Sequence, residues 1–167
     1  MASIELARER DYVAKLYERL DELRAEAHAR LERVHRQDVG GNHQSRSERD
    51  AFARMFEDRI AQLNEVDERL AFGRLEVAGD SEFSVDSEQD SPYRYIGRIG
   101  LRDENLKPVL LDWRVPQAGP FYQATAATPL GIRARRHLLS KGRQIVKIED
   151  EIFDSSLLAE AGSENLQ

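Results

Sequence analysis

The chain has 167 residues, 34% of them charged, and a net charge of −6 from 25 basic and 31 acidic side chains; charged residues normally make up ~25%. That length suits one domain or two small modules and excludes a large multi-domain enzyme. No cysteine, no apolar run of about 18 residues and no apolar stretch in MASIELARER together exclude disulfides, thiolate zinc sites and a membrane-spanning helix, argue against export, and make a soluble cytoplasmic protein the expectation.

Residues 4–36 read as one long amphipathic helix, because Val13, Leu16, Leu20, Leu23, Ala27, Leu31 and Val34 recur at steps of three and four. Ser3 can cap its start and Gly40-Gly41 stop it. Asp11 with Lys15, Glu26 with Arg30 and Glu32 with Arg36 place opposite charges four apart, whereas Glu5 and Glu9 repel. A second helix opens with a capping box, Ser45-Arg46-Ser47-Glu48, and runs through Phe52, Phe56, Ile60, Leu63, Val66 and Leu70 to Gly73. The short connection folds the second helix antiparallel onto the first. Stripes this narrow fit a two-helix coiled coil that projects as an arm; a single solvated helix lying on another surface is the alternative.

After Gly73 the period becomes two-fold. Arg74 to Val77 reads as a strand, 78–92 as an acidic, serine-rich loop, Tyr93 to Leu101 as a strand, Asp103-Glu104-Asn105 as a turn and Val109 to Trp113 as the returning strand. Phe121 to Thr125, Ile132 to Leu139 and Gln144 to Ile148 complete the set, the last two joined at Ser140-Lys141-Gly142. No helix here is long enough to link parallel strands. The fold class expected is α+β: a long antiparallel coiled-coil hairpin over 1–73, a small antiparallel β module over 74–154, and a tail over 155–167 that stops as a truncation would. Trp113, Phe121 and Tyr122 are the candidate β core.

Chemistry is sparse. No Gly-Lys-Ser/Thr loop cradles a phosphate. His28, His35, His43 and His137 are scattered, and a metal site made from His35, Asp38 and His43 competes with plain solvated side chains. From Arg94 to Lys147 eleven bases face three acids, a local balance of +8, between two acidic stretches. Arg133, Arg135, Arg136, Lys141 and Arg143 are the candidate basic face, for phosphates or for an acidic protein, or else paired with the chain's own acids. Asp112 beside Trp113 and Arg114 is either a perturbed acid or the fixing point of the following turn.

Tyr95-Ile-Gly-Arg-Ile-Gly-Leu101, Leu110-Leu-Asp-Trp-Arg114 with Pro116, Phe121-Tyr-Gln-Ala-Thr125 and Arg135-Arg-His-Leu138 resemble the N-terminal region of the HelD family, UvrD-like helicase relatives associated with bacterial RNA polymerase. The resemblance covers roughly 5–154. It implies a coiled-coil arm that enters the polymerase secondary channel, with Arg36, Asp38, His43, Arg46, Glu48 and Asp50 around its tip as candidate polymerase contacts. It also implies an ATP- and Mg-dependent motor elsewhere in the intact protein, so that this part would have no catalytic residue, metal or cofactor of its own and would be a monomer. A DNA-binding accessory module is the alternative reading.

Overall fold

The computed structural model describes residues 2–36, 43–78 and 91–153, with side chains from Ile4 and, in the second segment, from Gln44. Two helices, α1 (Ala2–Arg36) and α2 (His43–Glu65), precede a six-stranded sheet built from β1 (Ala71–Val77), β2 (Tyr93–Gly97), β3 (Leu101–Arg102), β4 (Pro108–Asp112), β5 (Ile132–Lys141) and β6 (Gln144–Ile152). Neither helix contains glycine or proline, and Glu26–Arg30 and Glu32–Arg36 pair along α1. The helices run in opposite directions. Arg24 donates to the Leu63 carbonyl and to Asp67, whereas Tyr17, earlier in α1, reaches Leu70, later in the chain.

In α2 the sequence-based end and face both shift, and in the sheet the single strand expected over Tyr93 to Leu101 divides into β2 and β3. The α2 seam runs through Ala53, Phe56, Ile60 and Leu63, which leaves Phe52 52% exposed beside it instead of in the stripe. The helix also ends at Glu65, not at Gly73. Gly73 lies inside β1, where a Cβ would collide with the Phe121 ring: it is a packing glycine, not a helix stop. The boundary drawn after residue 73 thus falls within a strand.

The strand order is β3-β4-β2-β1-β5-β6, and the sheet is mixed. β2 and β4 are parallel over two rungs, Ile96 with Leu111 and Gly97 with Asp112. The chain needs no crossover helix for this, because the short β3–β4 hairpin turns back and slots β4 between β3 and β2. The strand expected at Phe121 to Thr125 is instead a 3-10 turn, Pro116–Ala118, running into a short helix, α3 (Gly119–Gln123). A proline near the start of each supplies a fixed helical φ and has no N–H to leave unpaired. The tip residues 37–42, the acidic stretch 79–90 and the tail 154–167 lie outside the described residues.

Each face of the sheet is covered. On one, the first half of α1 contributes Val13, Leu16, Tyr17 and Leu20 to a core shared with Leu63, Leu70, Leu101, Leu110, Leu138 and Ile145. On the other, Phe121, Ala118, Ala124 and Phe153 pack on Leu75, Ile96 and Ile132. Burying a leucine such as Leu20 or Leu63 completely contributes roughly 2 kcal/mol. The helix pair is therefore set into the sheet at its root, and α1 buries a wider face there than its apolar stripe alone defines.

Candidate functional site at the root of the helix pair

Where α1 crosses the sheet, charge is buried and matched. Glu9 is 1% exposed, and its Oε1 accepts from Arg74 of β1 at 2.7 Å and from Arg136 of β5 at 3.0 Å. Arg136, 5% exposed, also donates to Asp150 of β6 at 2.6 and 2.9 Å and to Glu5 at 3.1 Å. Burial works against its charge, yet the Asp150, Glu5 and Glu9 carboxylates win and raise its pKa. The expected repulsion between Glu5 and Glu9 is thereby cancelled by one guanidinium from a strand far away in sequence. Among the described residues Glu9 Oε2 is buried with no hydrogen-bond partner, a desolvation cost that the two guanidinium contacts to Oε1 offset.

Aromatic rings extend this contact. Tyr12 and Tyr95 stack with centroids 3.7 Å apart, and the Tyr12 hydroxyl donates to the Val109 carbonyl at 2.6 Å. Burial, then the Glu9 and Asp103 charges, push the Tyr12 phenol up to about 12, so it stays a neutral donor. A second tie lies farther along the helices. Arg143, in the β5–β6 turn, donates to both oxygens of Asp21 at 2.8 and 2.9 Å and also to Asp67, while lying over the Tyr17 ring. Its hydrogen bonds hold both carboxyls below their ordinary range.

A cleft of about 540 Å³ opens where the helices meet the β3–β4 edge. Its described walls include Leu75, Leu101, Leu110, Leu111, Val115 and Ile132, and Arg19, Arg59, Arg94 and Arg102 also line it. Its one described acid, Asp112, is already held by Arg114, which donates from Nε at 2.9 Å and Nη2 at 2.6 Å while its backbone N–H donates to Oδ1 at 2.9 Å. The Arg114 hydrogen bonds lower the Asp112 pKa; the carboxylate fixes the turn after β4.

The candidates named from sequence scatter. Arg36, Arg46, Glu48 and Asp50 are exposed on the helix ends; Asp38 lies outside the described residues, as does the His43 side chain. The basic face does not form as drawn. Arg135 is spent on Glu151 and on the carbonyls of Phe121 and Ala124, Arg136 is buried and Arg143 is paired, while Lys141 is exposed and Arg133 has partners as well. Alternation in β5 sends Arg135 and Arg136 to opposite faces, and the local +8 balance is answered by acids of α1 and β6. Of the expected β core, Phe121 is buried, but Trp113 and Tyr122 are 47% and 50% exposed and meet edge-on at 6.2 Å. They lie outside the core because Trp113 follows the last residue of β4 and Tyr122 is on the outer side of α3. Among the described residues no group of three His, Cys, Asp or Glu is placed to hold a metal ion.

Glu9 and the cleft arginines were missed in the sequence. The available signal was a glutamate on the same side of α1 as Val13 and Leu16, four and seven residues on.

The family model described as DNA helicase IV HelD, N-terminal domain, matches residues 6–164. The chain belongs to this family. No curated protein matches it. The HelD match takes in both helices, the buried cluster apart from Glu5, the Asp112-Trp113-Arg114 turn and the cleft. In this HelD domain no described helix is long and apolar enough to cross a membrane.

Proposed function

We propose that this HelD N-terminal domain is the RNA polymerase-binding region of a cytoplasmic UvrD-type, ATP-dependent helicase relative. Its two helices act as a coiled-coil arm that enters the secondary channel of core polymerase and helps to release or recycle stalled enzyme. The ATP and Mg chemistry belongs to a motor elsewhere in the intact protein; this region binds and positions, without catalysis of its own. The observation that carries the reading, beside the family, is the Glu9–Arg74–Arg136 cluster, which fixes α1 on the sheet while Arg24 ties the second helix to α1, as a rigid probe would require. The DNA-binding alternative is weakened because Arg135, Arg136 and Arg143 are committed to carboxylates.

A pull-down with purified core polymerase tests this. Retention of polymerase by the chain, and its loss on deleting residues 37–46, is the expected result. Failure to retain core polymerase, together with retention of naked DNA at physiological salt, would overturn it in favour of the accessory-module reading.

A further inference from the structure

We propose that the arginine-lined cleft beside the arm root is a docking site for an acidic, aliphatic polypeptide segment of a partner protein. Three observations converge on it. First, two of its arginines meet no carboxylate among the described residues. Among the described contacts Arg59 donates only to Gln62 Oε1, at 2.8 Å, and Arg102 only to the Leu106 carbonyl, at 2.9 Å; both acceptors are neutral. Arg19 divides its donors between the Arg102 carbonyl and Glu22, which is half exposed. A guanidinium offers donors that suit a carboxylate, and among the described residues Arg59 and Arg102 meet none.

Second, Leu106 is held at the lip of the cleft 71% exposed and in the left-handed region, with φ 63°. A leucine in that conformation is strained, which glycine or asparagine would largely avoid. The turn is enforced locally: Asp103 Oδ1 accepts from the backbone of Asn105 and Lys107, and the Leu106 N–H donates to the Asp103 carbonyl. An apolar side chain displayed at such a cost is explained by a contact it makes with an aliphatic partner.

Third, the apolar part of the described walls is aliphatic and carries no aromatic ring, which suits aliphatic side chains better than a run of stacked bases. Leucine, isoleucine or valine side chains fit the walls, and neighbouring aspartates or glutamates reach the arginines. The inference stands apart from the polymerase reading, since either can fail alone.

The test is a fluorescence anisotropy titration of the 167-residue chain against a labelled peptide that alternates leucine with aspartate and glutamate. Saturable binding is expected, weakened about tenfold by Arg59→Gln with Arg102→Gln and about fivefold by Leu106→Asn. Asparagine tolerates the left-handed turn, so Leu106→Asn keeps the fold, which circular dichroism checks. Absence of saturable binding, equal binding of a peptide with lysine in place of every acid, or tighter binding of oligo-thymidine would each overturn the proposal. So would unchanged affinity in both variants. The stretch 79–90 itself combines five acids with Phe83 and Val85. If deleting it tightened peptide binding about tenfold, the cleft would be assigned to the chain's own segment; unchanged affinity supports a partner in trans.

Discussion

Arginines serve two different ends in this molecule. Beneath α1, Arg136 is buried, Arg74 is partly buried and each meets a carboxylate; at the cleft, the half-buried Arg59 and the exposed Arg102 donate to neutral oxygens. The difference teaches where charge is structural. A guanidinium that is desolvated must be matched, because an unpaired buried charge costs several kcal/mol, whereas one left in water stays available for another molecule. The first region sets the direction of the helix pair and the second presents a surface.

The comparison can be broken at several points. Glu9→Ala should have the largest effect, since it strips Arg74 and Arg136 of a buried acceptor: a loss of about 3 kcal/mol, read as a fall of roughly 10 °C in Tm. A loss under about 1 kcal/mol would mean that Asp150 and Glu5 carry the cluster without it. Arg143→Ala should cost about 1 kcal/mol at neutral pH, because its partners Asp21 and Asp67 are partly solvated. The sign of its pH dependence follows from those partners. Both carboxyls have folded pKa values depressed below 3.8, so their stabilisation is present above that value and is lost as pH falls through the folded values. Thermal melts of the parent and Arg143→Ala should therefore converge in acid; a gap that persists there would place the contribution of Arg143 in its packing on Tyr17.

At the cleft the effects should be small and opposite in sign. Leu106→Asn should raise stability by about 0.5 kcal/mol through relief of the left-handed strain. Arg59→Gln with Arg102→Gln should change Tm least, by an amount equivalent to about 0.5 kcal/mol or less. A large loss in that double variant would show that these arginines hold the fold as those beneath α1 do, and would remove the contrast.

Much of the architecture could be read from periodicity. The long helices are legible because apolar residues at steps of three and four leave one buried stripe, and most strands because alternation leaves one buried face. The errors have local causes. Gly73 reads as a helix stop until the Phe121 ring is placed against it, and Phe121-Tyr122 reads as strand until two prolines start a turn and a helix. Phe52 and Trp113 look like core by residue type, yet Phe52 falls one position away from the buried register and Trp113 one residue past the end of β4. The basic face failed for a different reason: counting charges along the chain says nothing about which acid will stand opposite.

The helix pair, the α+β class, the short-strand region and the family resemblance follow from local patterns and from motif residues such as Asp112-Trp113-Arg114. Tertiary packing alone sets β4 parallel to β2, buries Glu9 between two strands' arginines, and leaves Arg59 and Arg102 without an acid among the described residues. Arg136 and Glu9 are 127 positions apart. A contact at that separation depends on the whole chain's path, which local patterning does not encode.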